Sequence, residues 1–292
     1  MAVILAVLVF IITILITYFF ATAGSHGWWF PELISQYGEI DKQFVRTLFV
    51  TGLAFVASHV ALGYCIYRYR SDSKEKVIYS HGNTKLEVVW TLIIALVFIS
   101  TAFVGQRVWL QLHLTAPPAN ALKIEVVGQQ FAWVFRYSGP DGKFGKTDPK
   151  DVNDQDNPLG LVPDDPAGKD DIVSRGRVIV PANRPVELIL RSKDVTHSFF
   201  VPSLRFKQDL VPGMSISVHF TADKILGRRI FKPDGTVETS DRELQQGEKE
   251  LKKGEHEIAC AELCGLGHYK MRGIFEVKEE AEFDKWLSGQ TH

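Results

Sequence analysis

The sequence predicts a membrane-anchored all-β protein, in which three transmembrane helices precede an outer domain built of β-strands. Charge-free apolar windows are confined to the first third of the chain, whereas alternating apolar and polar residues fill much of the remainder. The 292 residues are enough for a membrane part and one sizeable soluble domain, and a formal net charge of −1 gives no reason to expect nucleic acid as a partner.

Three windows have the length and composition of membrane spans. The first starts at the N-terminus, and no formal charge precedes Glu32. The second covers residues 47–67, and the third covers residues 88–106 between Glu87 and Arg107. Because a helix of about 20 predominantly apolar residues crosses a bilayer, we predict three transmembrane helices rather than the buried core of a soluble protein.

An alternative for the first window is a cleaved secretory signal, because Ala21-Thr22-Ala23 resembles a small-residue cleavage site. A secretory signal normally opens with positive charge, and no lysine or arginine precedes this apolar run. We therefore interpret the first window as a retained helix.

The distribution of basic residues predicts the orientation of the helices, because lysine and arginine are retained on the cytoplasmic side. The connection between the second and third windows is the more basic one. This places the N-terminus in the cytoplasm and the chain beyond about Leu112 on the outer face. The basic residues of that connection are Arg68, Arg70, Lys74, Lys76 and Lys85, against Lys42 and Arg46 in the first connection.

The pattern of the chain changes after Pro117-Pro118, where strand signals begin. Residues 123–137, 186–190 and 216–220 read as strands, and in the last two runs apolar residues alternate with polar ones. Proline and glycine separate these runs without helical periodicity, which favours an antiparallel sandwich or barrel. A short helix over about residues 279–287 closes the chain.

Two charged stretches interrupt the strand pattern. Residues 141–171 contain nine aspartates and four lysines, which is typical of a solvated loop; an acidic docking face is the alternative. The second stretch, at about residues 224–253, reads as an insertion between strands, and residues 242–246 within it are a possible helix.

The predicted domains are 1–43 (an extra N-terminal helix and outer loop), 44–115 (a transmembrane hairpin) and 116–292 (the β domain, with the insertion at about 224–253).

The stretch CAELCGLGHYKM places Cys260, Cys264, His268 and Met271 within one short segment. In an oxidising outer compartment the two cysteines could form a disulfide. Zinc takes Cys and His, but a thioether is a poor zinc ligand, so Met271 would have no role. Thiolate, thioether and imidazole together form the soft ligand set that copper selects, and we therefore favour a copper site.

A second thiolate indicates a second metal ion. A single blue-copper site uses one Cys, two His and a weak axial Met, so one of the two cysteines would be left over. Two coppers bridged by two cysteines need one more imidazole. The candidate is His197 in DVTHSFFVPSL, although a lone histidine among apolar residues is otherwise read as structural.

DVTHSFFVPSL and CAELCGLGHYKM resemble the corresponding segments of subunit II of the haem–copper cytochrome c oxidases. HGNTKLEVVWTLI and the closing FDKWL are also similar, and the likeness runs from about Phe44 to the end of the chain. It implies a cupredoxin-like Greek-key β-barrel that holds the dinuclear copper centre CuA. The implied ligands are Cys260 and Cys264 as bridges, His197 and His268 on one copper each, Met271 as an axial ligand and Glu262 through its backbone carbonyl.

The resemblance implies further roles for acidic residues. Asp194, just before the ligand histidine, is a candidate to hydrogen-bond it. The Glu262 carboxylate matches a ligand to a magnesium ion at the contact with subunit I. Glu87 matches an acidic residue at the entrance of a proton pathway; the plainer interpretation is a carboxylate favoured by the positive end of the third helix.

The sequence departs from the family at the electron entry point. The exposed tryptophan found there in many members is Phe131 in this chain, and Trp133 lies two residues on, which predicts the same strand face. Arg136 stands where an acidic docking residue often lies. These departures favour a membrane-bound or tethered c-type cytochrome donor, or one held in a supercomplex. No Cys-x-x-Cys-His is present, so we expect no haem in this chain.

The resemblance implies an electron-transfer subunit of a bacterial inner-membrane oxidase, with its copper domain in the periplasm. CuA would pass electrons from a c-type cytochrome to haem in subunit I. Subunit I would hold haem and CuB, lie beside subunit III, and reduce oxygen to water while protons are pumped. Alternatives are the CuA subunit of a nitric oxide or nitrous oxide reductase and a membrane-tethered copper carrier; a quinol oxidase is disfavoured because such relatives lack the copper ligands. Cys65 is interpreted as a packing residue.

Overall fold

The computed structural model describes residues 1–23, 30–70 and 81–290. Lys74 and Lys76, which contributed to the predicted orientation, lie outside these ranges. The described chain forms two compact units. A helical unit includes Glu39–Gln111, and a β-rich unit is formed by Phe30–Gly38 together with the chain from Leu112 onwards.

The helical unit contains the three predicted apolar helices. They are α1 (Ala2–Ala21), α2 (Gly38–Arg68) and α3 (Thr84–His113). Each is long and apolar enough to cross a membrane. None of the residues of α3 is buried within the chain, so its apolar surface is left for lipid or for other subunits.

A direct contact packs α1 against α2. The ring of Phe10 lies over Gly63, where a Cβ would come within 2.7 Å of the ring. Small residues at such positions let two membrane helices approach closely. The Thr13 hydroxyl donates to the Val9 carbonyl at 2.7 Å within α1. Burying this polar group in apolar surroundings therefore has a small free-energy cost.

Two five-stranded sheets and one small sheet make up the β-rich unit. The first large sheet has the order β3-β2-β1-β5-β8, the second has the order β4-β13-β12-β6-β7, and the small sheet has the order β10-β9-β11. The strands are β1 Leu122–Gln129, β2 Ala132–Tyr137, β3 Ile172–Arg175, β4 Arg177–Pro181, β5 Pro185–Ser192, β6 His197–Val201, β7 Phe206–Leu210, β8 Ile216–Thr221, β9 Arg229–Phe231, β10 Val237–Thr239, β11 Lys249–Leu251, β12 Glu255–Cys260 and β13 Arg272–Lys278.

The apolar alternation in the sequence produces the core between the two large sheets. In β5, Val186, Leu188 and Leu190 are fully buried, as their period of two predicts. Phe220 of β8 meets Phe275 of β13 with ring centroids 5.7 Å apart. The result is the cupredoxin-like domain that the sequence predicts.

The prediction of purely antiparallel sheets is wrong for two strand pairs. β1 pairs with β5 in parallel, and β13 pairs with β4 in parallel. β3 and β5 belong to the first large sheet, whereas β4 and β6 belong to the second, so the chain crosses between the sheets at each step. Strands that lie side by side in one sheet therefore need not be joined by a hairpin, and they can run parallel. Alternation reports which face of a strand is buried and carries no information about the direction of its neighbour.

The segment between β8 and β12, where the sequence predicts an insertion, forms the small sheet. Residues 242–246 are not helical, which corrects the sequence-based expectation. Arg242 instead binds Glu238 at 3.1 Å and Glu248 at 2.7 Å, and these ion pairs hold the segment in a turn. The C-terminal helix is confirmed as α4 (Glu280–Ser288).

The segment Phe30–Gly38, which we call the strap, belongs to the β-rich unit. The predicted boundary at residue 43 grouped it, as an outer loop, with the first helix. Ile34 is fully buried, and its amide donates to the Ser203 carbonyl at 3.0 Å. The Ile34 carbonyl accepts from the Asp223 amide at 2.9 Å. The strap therefore contributes both a core side chain and backbone hydrogen bonds to the domain.

Candidate metal centre

Neighbouring strands bring the two halves of the predicted ligand set together. β6 begins at His197, and β12 ends at Cys260. The two strands pair antiparallel, with Cys260 opposite Phe199. From Cys260 the chain runs through residues 260–271, which we call the ligand loop, before it enters β13. Sheet pairing thus places a histidine that is distant in sequence beside the loop.

Each donor atom lies 3.2 to 4.0 Å from a cysteine sulfur, close to the separation of ligands that share a metal. Two donors that each bind one ion at about 2.0 to 2.3 Å are separated by about 3.3 to 3.8 Å in a tetrahedral arrangement. The two cysteine sulfurs are 4.0 Å apart, about twice the length of a disulfide bond. The remaining separations are 3.9 Å from Cys260 Sγ to His197 Nδ1, 3.2 Å from Cys260 Sγ to the Glu262 carbonyl oxygen, 3.5 Å from Cys264 Sγ to His268 Nδ1 and 3.8 Å from Cys264 Sγ to Met271 Sδ.

Three of the donor residues are buried in the domain. His197 is fully buried, and Met271 and Cys264 are nearly so. Burial, together with the neighbouring Cys260 thiol, raises the pKa of Cys264 to about 11 in the metal-free chain. A metal ion has to displace that proton, which is the usual coupling between metal binding and proton release.

A carboxylate orients the His197 ring. Asp194 Oδ1 lies 2.8 Å from His197 Nε2, so the other ring nitrogen, Nδ1, faces the Cys260 sulfur. Partial burial raises the pKa of Asp194, but hydrogen bonds from the Gln130 amide and His197 outweigh it and hold that pKa below its usual range. This contact confirms the partner expected for the histidine.

The sequence of this chain is similar to known proteins over most of its length. The family model for the periplasmic domain of cytochrome c oxidase subunit II matches residues 122–227. An "alternative cytochrome c oxidase subunit 2" from Bradyrhizobium diazoefficiens is 34% identical over 266 residues, which cover 90% of this chain and 84% of that protein. The chain belongs to the cytochrome c oxidase subunit II family.

Two further subunit II proteins are more distantly similar to this chain. The cytochrome c oxidase subunit 2 of Synechocystis sp. is 25% identical over an alignment of 334 positions that covers 98% of this chain and 83% of that protein. The crystal structure of the periplasmic domain of subunit II from Bradyrhizobium japonicum is 24% identical, with a TM-score of 0.37, and covers 60% of this chain and 96% of that one. As a subunit II, the chain is a component of a haem–copper oxidase complex, and its His and Cys cluster fits copper.

The two aromatic residues predicted near the electron entry point occupy different environments. Phe131 lies in the turn between β1 and β2 and is 37% exposed. Trp133 is fully buried, with its ring edge-on to His197 at 6.2 Å and to Phe199 at 5.4 Å between centroids. The expectation that they share a face is wrong because one residue belongs to the turn and the other to the core-facing side of β2.

Arg136 does not lie on a docking surface of this subunit II. Its side chain is 3% exposed and binds Glu125 at 2.7 Å and Asp171 at 3.2 Å. Its guanidinium also lies 4.7 Å from the centre of the Phe144 ring. A buried charge has to be paired, so Arg136 anchors the 141–171 loop to the sheet rather than repelling a basic partner.

The carboxylates of two predicted acidic residues are not among the donors. Glu87 is in the first turn of α3, in the helical unit. Its side chain folds back towards Gly82, where a Cβ would lie 2.8 Å from Glu87 Oε1. The Glu262 side chain is exposed, and only its carbonyl faces a cysteine sulfur. The carboxylate is therefore accessible to solvent or to a partner.

Sequence reasoning missed Gly128 and Gln130. A Cβ at Gly128 would lie 2.9 Å from the His197 ring, so this strand position has room for the imidazole only because it is a glycine. The Gln130 side chain donates to the Cys264 carbonyl at 2.6 Å. A glutamine in a turn gives no signal of its own, whereas a glycine within a strand pattern indicates close approach of another group.

Proposed function

We propose that this chain is the electron-entry subunit of a respiratory haem–copper terminal oxidase. Its CuA centre accepts electrons from a c-type cytochrome and passes them to haem in subunit I, where oxygen is reduced to water and protons are pumped. The observation that carries this proposal is the convergence of two thiols, two imidazoles, a thioether and a carbonyl at one point of the domain.

Each donor has a proposed part in holding two copper ions. When bound, the copper pair supplies a centre that takes up and releases one electron at a time. Cys260 and Cys264, together with His197, His268, Met271 and the Glu262 carbonyl, are the groups that would hold the ions. This soft set with few oxygen donors suits copper better than zinc.

The fold contributes rigidity to this electron transfer. His197 and Cys260 belong to paired strands of one sheet, and Met271 directly precedes β13 of the same sheet. Donors fixed by strands move little when the charge of the centre changes. A small rearrangement on reduction allows fast transfer at low driving force.

Electrons are proposed to enter near Phe131, which is exposed and packs on the ligand loop. The donor is a c-type cytochrome that is membrane-bound or held in a supercomplex, with subunit III as a further neighbour in the complex. Trp133 is buried and lies edge-on to the His197 ring, so it would take part in electron transfer from inside the core and not at the surface.

Glu87 and Glu262 have proposed roles towards subunit I. Glu87 at the start of α3 is the entrance of a proton pathway, and its exposed carboxylate supports this role. The exposed Glu262 carboxylate contributes to a magnesium site shared with subunit I. The complex lies in the bacterial inner membrane, with the N-terminus of this chain in the cytoplasm and the β-rich unit in the periplasm.

A copper carrier is disfavoured by the burial of the donors. A carrier has to release its ion to a partner, which requires accessible ligands. Met271 is 1% exposed and Cys264 is 3% exposed, so a partner cannot reach them without opening the domain. A nitric oxide reductase that uses the same centre differs only in the partner subunit.

Oxidation of a reduced c-type cytochrome by the assembled oxidase tests the proposal. We expect Cys264→Ser to abolish rapid oxidation of the cytochrome in stopped-flow measurements because one bridging sulfur is lost. Cys65→Ser, a matched change at an exposed position of α2, should leave the rate unchanged. Equal rates for the Cys264→Ser and wild-type complexes would overturn the proposal.

A further inference from the structure

The donors reach the centre from two separate parts of the fold. The start of β6, which we call the His197 arm, supplies His197. The ligand loop, which we call the Cys264 arm, supplies Cys264, His268 and Met271. Without a bound metal, the relative position of these two arms depends on contacts between protein groups. The turn between β1 and β2 makes such contacts with both arms.

Gln130 in this turn links the arms through two hydrogen bonds. Its backbone amide donates to Asp194 Oδ2 at 2.7 Å, and Asp194 Oδ1 lies 2.8 Å from His197 Nε2. Its side-chain amide donates to the Cys264 carbonyl at 2.6 Å. Asp194 and Gln130 therefore connect the histidine ring to the backbone of a cysteine donor through hydrogen bonds.

The ligand loop is shaped to receive this turn. Gly265 has a φ of +130°, and a Cβ there would lie 2.9 Å from Gln130 Nε2. A Cβ at Gly267 would lie 2.4 Å from the ring of Phe131. Both glycines thus leave room for the turn, and Gly265 also takes a backbone conformation that other residues rarely adopt. Two independent close approaches indicate a specific fit between turn and loop.

We propose that Gln130 is a positioning residue that fixes the Cys264 arm relative to the His197 arm. This inference rests on the proposed metal centre. Groups that orient metal ligands commonly change metal affinity or activity by about 10- to 100-fold when they are replaced. The side-chain amide of Gln130 holds the backbone of Cys264 in place before a metal binds and limits movement of the sulfur afterwards.

Substitutions of Gln130 separate its side chain from its backbone. Gln130→Met keeps the length of the side chain and the backbone bond to Asp194 but removes the donor to Cys264. Gln130→Glu replaces the donor with an acceptor that faces the same carbonyl. The matched controls are Gln129→Met and Gln129→Glu, since the Gln129 side chain accepts from Lys193 at 3.2 Å and lies in the adjacent position.

The first measurement uses the copper-loaded full-length chain in detergent. We expect both Gln130 variants to lose copper to a chelator about 10-fold faster than wild type and to change the copper hyperfine splitting in electron paramagnetic resonance. Both Gln129 variants should match wild type. Wild-type release rates and spectra in the Gln130 variants would overturn the proposal, as would equal changes in the Gln129 variants.

The second measurement uses the metal-free chain and distinguishes failure of this inference from failure of the proposed function. Alkylation of the Cys264 thiol should be faster in Gln130→Met than in Gln129→Met because the loop is released. This difference does not depend on which metal binds. Equal alkylation rates would reject the positioning role, whereas a wild-type chain that takes up no copper would reject the proposed function alone.

Discussion

The helical unit and the β-rich unit bury their side chains to very different degrees. In α3 no residue is buried within the chain, and Ile94 is 54% exposed. In the β-rich unit Ile34, Trp133 and Phe275 are fully buried. The β-rich unit carries its own core, whereas the apolar surface of the helices is left for lipid or neighbouring subunits. Equivalent substitutions should therefore have unequal effects in the two units.

The largest effect is expected where the β-rich unit buries charge. Arg136→Met removes the cation between Glu125 and Asp171. Glu125 keeps its ion pair with Arg191 at 3.1 Å, whereas the buried Asp171 carboxylate loses its ion pair. We expect the free energy of unfolding to fall by about 3 to 5 kcal/mol. Urea unfolding of the full-length chain in detergent, followed by near-ultraviolet circular dichroism, measures this change.

The control for that substitution is Arg272→Met. The Arg272 side chain is 60% exposed and pairs with Glu257 at 3.1 Å. Exposed pairs contribute about 0 to 1 kcal/mol, so this variant should unfold almost as the wild type does. A loss below about 1 kcal/mol for Arg136→Met would contradict the account of a buried ionic anchor.

A core substitution in the strap tests whether this segment is part of the β-rich unit. Ile34→Ala removes a fully buried side chain and should lower the free energy of unfolding by about 2 to 5 kcal/mol. Ile94→Ala is the matched change in the helical unit, where the exposed side chain predicts little effect on the same transition. Similar losses in both variants would remove the distinction between the units.

The smallest effect near neutral pH concerns His256. Burial, and then the positive charge of Arg229, lowers its pKa from 6.5 to about 3. Between these values the unfolded chain binds a proton that the folded chain excludes, so stability is lost as the pH falls below 6.5. The decline in unfolding free energy from pH 7 to pH 5 should be shallower in His256→Gln than in wild type. Parallel declines would show that His256 is not sealed from solvent.

The sequence predicted the features that depend on composition and local alternation. The three apolar helices, the buried face of β5 and α4 are all present in the structure. Their physical causes act within a few residues of each other, so a single sequence contains the signal. The sequence also singled out His197 and Cys260, which lie together in the structure, because a copper pair needs one more imidazole than the 260–271 segment supplies; their role as metal donors stays a prediction.

Features that depend on tertiary contacts were missed or predicted wrongly. Arg136 looked like a surface charge because its partner Asp171 is distant in the sequence and comes from a loop that reads as solvated. The strap was grouped with α1 because its contacts with Ser203 have no sequence signal. Gln130 was overlooked for the same reason, since its role depends on a carbonyl in another segment.

We propose that this chain holds two copper ions that behave as one redox unit. Electron paramagnetic resonance of the copper-loaded, full-length chain in detergent, combined with copper analysis of the same sample, distinguishes such a pair from a single metal ion. We predict two copper atoms per chain and the hyperfine pattern of one electron shared equally by two copper nuclei. One copper atom per chain with the pattern of a single nucleus, or zinc in place of copper, would contradict the account.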